Sequence, residues 1–295
     1  MSRNAAFLGL LVAALFCLGL MCAQLPPAEL ATLPGPTASG PVSYLEDVQP
    51  ILENRCVVCH GCYDAPCQLQ LSSYAGLDRG ATKQPVYQSS RFRAAQLTRL
   101  HMDAQSTDEW REKGFFSVTE KTDSTGYDSL LLNMLALGRA QPFPPDARLP
   151  DSFPLDINRT LSCPTESEFD GYARKYPTGG MPYGIAPLTD AEIGVLAAWF
   201  QQGTPPPPAP PPLPKSALGQ VESWEKFLNG PTLKQRITSR YLYEHWLFAH
   251  LYFEDLPNGP FFRIARSATP PGTPVEIIAT RRPYDDPGVE EFWYR

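Results

Sequence analysis

The chain has 295 residues, which is enough for one or two domains, and 43% of them are hydrophobic, which is enough to form cores. Proline is frequent, with 33 residues, and this predicts extensive irregular structure. The net charge is −6, and an acidic chain argues against nucleic acid as a partner, because binding to phosphates needs a basic surface.

The amino terminus has the pattern of an export signal. Arg3 gives the first residues a positive charge, and the apolar run Ala5–Ala23 follows it. This layout predicts a signal peptide over residues 1–23. Two alternatives stay open: a retained membrane anchor, since the run is almost long enough to span a bilayer, and lipidation of Cys17 or Cys22.

Residues 24–43 are rich in Pro, Gly, Ser and Thr, which predicts a linker. The next segment, Tyr44–Arg55, has apolar residues such as Val48 and Leu52 at helical spacing, and it is predicted to be a helix. Pro50 is expected in the first turn, where proline is tolerated.

The most informative motif follows directly. Cys56-Val57-Val58-Cys59-His60 has the spacing of a c-type haem attachment site. Each thiol would form a thioether with one haem vinyl group, and His60 would ligate the iron. The motif predicts one covalent haem c, bound by Cys56 and Cys59, with His60 as metal ligand and catalytic centre. The alternative is a disulfide or half of a zinc site with an incidental histidine.

Three further cysteines lie outside the predicted signal peptide. Export places them in an oxidising compartment, where two of the three are expected to pair. Cys62 and Cys67 enclose a short loop and are the first choice, although Cys163 could bond to either. A reactive thiol at Cys62 or Cys67, beside the haem, is the remaining alternative.

Two helices are predicted further along the chain. The first covers Ser129–Leu137 and is expected to stop at Gly138. The second begins with a capping box, Thr189 at the N-cap and Glu192 three residues later, and is expected to end at Gly203. One face of this helix is apolar, with Ile193, Leu196, Ala197 and Phe200.

Gly179-Gly180-Met181-Pro182 lies just before the capped helix. A helix, CxxCH, a Met-Pro loop and an amphipathic helix occur in the order found in class I cytochromes c, so residues 44–204 resemble that class, with insertions. The resemblance implies Met181 as the second axial iron ligand, a pairing with His60 that raises the reduction potential. Met102, Met134 and His101 are the alternative ligands.

Thr204–Pro214 is nearly all proline, and residues 205–214 are predicted to form a stiff spacer. A second, α+β region is expected over 215–295. Its aromatic stretch Tyr241–Phe253 predicts either a buried helix or a surface for acyl chains. Val275–Thr280 is predicted to be a strand, followed by two arginines, Arg281 and Arg282, that either meet phospholipid head groups or end the strand in solvent.

Three stretches resemble the bacterial fatty acid cis-trans isomerases. They are Cys56 to Cys67 with the following Gln-Leu-Gln-Leu-Ser-Ser, Tyr241 to Phe262, and Arg281 to Pro287. The resemblance implies a periplasmic haem c enzyme that acts at the inner-membrane surface. Such enzymes convert cis-unsaturated acyl chains of phospholipids to trans, without moving the double bond or consuming a cofactor. Members of the family are longer, so the chain looks like an amino-terminal portion.

The sequence therefore predicts a mainly α, loop-rich protein, with a cytochrome c-like haem domain followed by a second region that looks truncated. The competing hypothesis is a periplasmic electron-transfer cytochrome c domain fused to an unrelated module. Fold alone does not separate the two. The region after the proline spacer favours the isomerase, since an electron carrier does not need it.

Overall fold

The computed structural model describes residues 29–88, 91–121, 127, 129–143, 148–156, 159, 161–256 and 259–295. The predicted signal peptide lies outside these residues. The chain divides into two compact units. The first unit comprises Met1–Pro41 and Val118–Gln201, and the second comprises Val42–Ser117 and Gln202–Arg295.

Helices dominate both units, as predicted, and every strand is only two residues long. The helices of the described chain are α1 Gln49–Arg55, α2 Val57–His60, α3 Tyr74–Arg79, α4 Thr107–Glu112, α5 Leu130–Ala140, α6 Phe169–Lys175, α7 Asp190–Gln201, α8 Lys215–Leu228 and α9 Leu233–Trp246. A π-helical turn covers Tyr44–Val48, and 3-10 turns cover Pro66–Gln68 and Glu166–Glu168. The strands are β1 Ala81–Thr82, β2 Tyr87–Gln88, β3 Arg91–Phe92, β4 Phe115–Phe116, β5 Arg266–Ser267 and β6 Trp293–Tyr294.

The capped helix of the first unit is confirmed. The Thr189 hydroxyl accepts from the Glu192 backbone N–H at 3.3 Å, and the Glu192 carboxylate accepts from the Thr189 N–H at 2.7 Å. These bonds satisfy backbone donors that the first helical turn leaves without partners. The face that contains Ile193 and Leu196 is buried, and Gly203 has the positive φ of +81° that ends the helix.

The predicted stop at Gly138 is wrong, because α5 continues to Ala140. Gly138 instead allows another segment to cross the helix closely. A Cβ at Gly138 would lie 2.2 Å from the Met181 carbonyl oxygen, and one at Gly180 would lie 1.9 Å from the Gly138 nitrogen. The Met181 N–H donates to the Met134 carbonyl at 2.8 Å, which fixes this crossing.

The helix predicted over Tyr44–Arg55 is present as the π-helical turn followed by α1. Pro50 lies in the first turn of α1, as expected. Val48 and Leu52 are buried, so the helical spacing of apolar residues identified the buried face correctly.

The strands form three antiparallel pairs, β1 with β4, β2 with β3, and β5 with β6. The strand predicted at Val275–Thr280 is absent, and only Ile277 forms an isolated bridge, with Ser267. Val275 is 49% exposed. The preceding residue, Pro274, has no N–H to donate to a neighbouring strand. The pairing of this segment therefore does not extend into a longer ladder.

The helices α8 and α9 pack on a core of five buried residues, Leu228, Tyr243, Leu247, Ile264 and Tyr294. Met102 packs against this core from the other stretch of the same unit. The aromatic stretch Tyr241–Phe253 is helical only as far as Trp246, so a buried helix describes only its first part.

Thr204–Pro214 has no regular secondary structure, in keeping with the predicted spacer. The sequence-based domains, 44–204 and 215–295, follow one another along the chain, whereas the compact units interleave. Those domain boundaries, and a cytochrome c-like arrangement within 44–204, remain predictions. No helix in the described part of the chain combines the length and the apolar character that crossing a membrane requires.

Candidate functional site

The CxxCH segment forms one turn of helix immediately after α1. Cys56 lies between α1 and α2, and its carbonyl accepts from the N–H groups of Cys59 at 3.1 Å and His60 at 2.9 Å. Residues three apart on such a turn lie on neighbouring positions of one face. The helical turn therefore places the two thiols side by side, with the imidazole directly after them.

Neither thiol of the motif is in a disulfide, and both are accessible. Cys59 is exposed and Cys56 is partly exposed. Val58, between them, is 79% exposed, although it is a large apolar residue. An apolar side chain in solvent beside two accessible thiols fits a segment that an apolar prosthetic group would cover.

His60 differs from the cysteines in being buried, with 8% of its surface exposed. Its Nδ1 lies 3.0 Å from the Leu69 carbonyl oxygen, which can only accept, so Nδ1 carries the proton. Burial lowers the pKa of His60, against a smaller raising effect of the Leu69 hydrogen bond. The imidazole is thus neutral, and the lone pair of Nε2 remains for a metal.

The Leu69 carbonyl is held by a buried network that begins at its neighbour Gln68, which is 1% exposed. The Gln68 amide donates to the Gln84 carbonyl at 2.9 Å and accepts from the Thr98 hydroxyl at 2.5 Å. The His60 carbonyl itself accepts from the Leu71 N–H at 2.7 Å. The imidazole and the backbone of His60 are therefore both tied to the chain segment 69–71.

Arg79 is the centre of this network and is fully buried. It donates to the Gln68 carbonyl at 2.6 Å and to the Thr98 carbonyl at 2.8 Å. Its guanidinium lies 4.9 Å from the ring centroid of Phe115 and 5.4 Å from that of Trp110. Burial lowers the pKa of Arg79 to about 10. Sequence reasoning missed this residue, because an arginine at the end of a short helix usually faces solvent.

The predicted Cys62–Cys67 disulfide is wrong. Cys62 is a free, exposed cysteine, whereas Cys67 and Cys163 are disulfide-bonded. Cys67 lies in the 3-10 turn Pro66–Gln68, next to the buried Gln68, while Cys62 is exposed in the turn after α2. Cys62 is thus a further cysteine near the motif that is not in a disulfide.

The other predicted ligands are distributed over both units. Met181 belongs to the first unit, where it is partly buried and its backbone is fixed against Met134 of α5. Met102 packs on the α8–α9 core of the second unit, and His101 is exposed with a φ of +64°. The pairing of His60 with Met181 remains a prediction.

The side chains present fit the group that the motif implies. Covalent haem c needs two accessible thiols and one neutral imidazole with a free nitrogen, and Cys56, Cys59 and His60 provide them. Among the described residues there is no group of three or more His, Cys, Asp or Glu that could bind a bare metal ion.

The predicted lipid-handling region exposes a row of apolar side chains. Leu233, Ile237 and Tyr241 follow one another at intervals of four along α9 and are 70%, 61% and 57% exposed. His245 continues the row and stacks on Tyr241 with 3.9 Å between ring centroids. Beyond the helix, three further aromatic residues are exposed by more than 60%: Phe248, Tyr252 and Phe261.

The comparisons with known proteins agree with the resemblance noted above. The family model described as "Fatty acid cis/trans isomerase (CTI)" matches residues 95–295, which is more than half of the chain. The match includes the row on α9 and begins after the CxxCH motif. Searches of curated proteins and of solved structures returned no match. The chain belongs to the fatty acid cis/trans isomerase family, and it is an isomerase that acts on fatty acids.

Proposed function

We propose that the protein is a haem c-dependent isomerase that converts cis acyl chains of membrane phospholipids to trans without moving the double bond. Membership of the family supports the reaction type. The observation that carries the haem dependence is the hydrogen bond from His60 Nδ1 to the Leu69 carbonyl, because it leaves Nε2 free to bind iron.

The chemistry explains why such an enzyme would use haem. Rotation about a C=C bond requires temporary loss of its π character, and even the partial double bond of a peptide has a rotation barrier of about 18–20 kcal/mol. Bound haem would supply an electrophilic iron that withdraws electron density from the alkene and returns it after rotation. No net redox change occurs, and trans is the more stable product, so neither reductant nor energy source is consumed.

The chain's own residues have separate roles in this proposal. Cys56 and Cys59 would attach the group through thioether bonds, and His60 and Met181 would ligate its iron, with the imidazole oriented by the Leu69 carbonyl. The Met181 thioether would be the weaker of the two iron ligands, and therefore the one that a substrate can displace. The region from Tyr241 onward admits the lipid through its exposed aromatic side chains.

We further propose that the protein is exported to the periplasm and acts at the inner-membrane surface. The apolar run Ala5–Ala23 behind Arg3 supports export. Thioether attachment of haem to the CxxCH motif is consistent with the same location. A haem-stained band that survives denaturing electrophoresis of a periplasmic extract is the expected result, and haem that extracts into acidic acetone would contradict covalent attachment.

The central test uses the purified, haem-loaded full-length chain and vesicles of cis-monounsaturated phospholipid, with no electron donor. Trans acyl chains are expected from the wild type and none from His60→Ala or Cys59→Ser. The matched control is Cys62→Ser, which removes another free, exposed thiol and is expected to retain activity. Trans product from His60→Ala would contradict the haem mechanism.

The same material tests the electron-transfer alternative. That alternative predicts no trans lipid from any variant and rapid reduction by a periplasmic donor. Met181→Ala is expected to lower the reduction potential and to remove the absorbance that reports iron–thioether bonding. An unchanged spectrum would move the ligand assignment to Met102, Met134 or His101.

A further inference from the structure

A cleft of about 650 Å³ lies in the second unit, between the first turns of α9 and the chain segment that contains β6. Its volume is within the range of sites for small molecules. Leu233 and Ile237 line it from α9, and Trp293 lines it from β6. Because alternate strand residues point to opposite faces, Trp293 faces away from the core in which its neighbour Tyr294 is buried.

The cleft combines apolar walls with charges of both signs. Arg236 and Arg240 line it on α9, and Glu290 and Glu291 line it on the opposite side. Arg240 already bonds to Glu244, at 2.6 Å. By contrast, Arg236, Glu290 and Glu291 form no ion pair with any described residue. One cation and two carboxylates therefore face the same cleft without protein partners.

The loop between α8 and α9 makes the cleft a fixed feature of the unit. Asn229 donates to the carbonyls of Glu225 and Tyr294, each at 2.8 Å, and accepts from the Tyr294 N–H at 2.9 Å. These bonds tie the loop to β6, so the two walls have a defined spacing.

We propose that this cleft binds the headgroup of a zwitterionic phospholipid, with its phosphate at Arg236, its ammonium at Glu290 and Glu291, and the start of an acyl chain along Leu233 and Ile237. The assignment rests on the proposed function in taking phospholipid as the substrate. A free fatty acid would bring only an anion, which Arg236 would attract and the two carboxylates would repel. The two carboxylates would likewise repel an anionic phospholipid, which has no positive charge to place beside them.

The charges that line the cleft match those of a zwitterionic headgroup. Phosphate is a strong acceptor for a guanidinium, and an alkylammonium is attracted both by carboxylates and by the face of Trp293. Exposed apolar side chains such as Leu233 and Ile237 imply a partner, because soluble proteins rarely leave large residues together in solvent.

The test is titration of the full-length protein with monomeric dihexanoyl phosphatidylcholine, followed by tryptophan fluorescence. Saturable binding is expected, and Trp293→Phe should remove most of the fluorescence change. Arg236→Gln should weaken binding by roughly three- to tenfold, as expected for one charge-assisted contact. The matched control, Lys234→Gln, lies on the same helix but outside the cleft lining and should bind as the wild type does.

Dihexanoyl phosphatidylglycerol and octanoate separate the possible ligands. The wild type should bind both more weakly than phosphatidylcholine, and the double variant Glu290→Gln/Glu291→Gln should reverse this preference. No binding of phosphatidylcholine, or tighter binding of either anion by the wild type, would overturn the proposal. The assay requires no turnover, so an inactive protein that still binds would contradict the proposed function alone. Isomerase activity without binding at the cleft would contradict this inference alone.

Discussion

The CxxCH segment and the α8–α9 region belong to the same compact unit but differ in the side chains that they expose to solvent. In the CxxCH segment, polar groups are buried, and His60, Gln68 and Arg79 each have at least one hydrogen-bond partner inside the protein. In the α8–α9 region, large apolar side chains are exposed, and Leu233 is 70% accessible. Hydrogen bonds fix the orientation of the His60 imidazole, whereas the exposed apolar row on α9 is available to contact a partner.

The two regions are linked by the short segment 98–102. Thr98 bonds to Gln68 on one side, while the guanidinium of Arg99 donates to the Thr280 carbonyl at 2.8 Å. Met102 packs on the α8–α9 core. The segment 98–102 therefore connects the hydrogen-bond network behind His60 to the region that is proposed to handle lipid.

The largest effect is expected at Arg79, which tests whether the buried network holds the CxxCH segment. Arg79→Met keeps much of the apolar contact but leaves the Gln68 and Thr98 carbonyls without a donor. The loss in free energy of unfolding should be roughly 2–5 kcal/mol, because each buried unsatisfied acceptor costs about 1–3 kcal/mol. Chemical denaturation measures it, and the exposed Arg93→Met is the control. A loss below that of the control would show that the network is dispensable.

A smaller effect is expected at Asn229, whose side chain bonds the loop between α8 and α9 to β6. Asn229→Ala removes three hydrogen bonds to Glu225 and Tyr294 and should lower the free energy of unfolding by about 2–3 kcal/mol. Glu222→Ala, at an exposed position of α8, is the comparison variant. Equal stability of the two variants would mean that the loop is held by apolar packing alone.

Alkaline pH provides a test on the CxxCH side. Burial above all, with smaller contributions from Glu53 and Tyr74, raises the pKa of Tyr44 from 10.0 to about 12. Above pH 10 the unfolded chain loses this proton while the folded chain keeps it, so stability present below pH 10 is lost as pH rises toward 12. At pH 11 the loss is about 1 kcal/mol. Tyr44→Phe should not show that loss. The measurement is the free energy of unfolding of both proteins at pH 8 and pH 11. If wild type and variant lost the same stability between these two pH values, the assignment to Tyr44 would be contradicted.

The smallest effect is expected on the exposed row of α9. Ile237→Gln should change the free energy of unfolding by no more than about 0.5 kcal/mol, because Ile237 is 61% exposed. The buried comparison, Ile264→Val, should cost about 1 kcal/mol although it removes only one methylene group. If Ile237→Gln destabilised the protein more than Ile264→Val, the row would be part of the core rather than a binding surface.

Local signals in the sequence predicted local structure well. The Thr189–Glu192 capping box and the position of Pro50 are both decided by residues within a few positions of one another, and the structure has them as expected. The resemblance to the isomerase family was also confirmed, and the family match covers residues 95–295.

Features that depend on distant contacts were not predictable in this way. Gly138 was interpreted as a helix stop, because a sequence gives no sign that residue 181 would cross there. Cys67 and Cys163 are disulfide-bonded although they lie 96 residues apart in the chain, and spacing alone favoured the nearby Cys62. The same holds for Arg79, whose partners lie 11 and 19 residues away.

The interleaving of the two units has a kinetic consequence. The second unit is made of two stretches that are separated by the 84 residues from 118 to 201 (201 − 118 + 1). Closing such a loop carries an entropy penalty before its contacts form, and contacts between distant residues slow folding. Arg99 and Met102 are synthesised long before Thr280 and the α8–α9 core, so their contacts with these partners form only after the last third of the chain has been made.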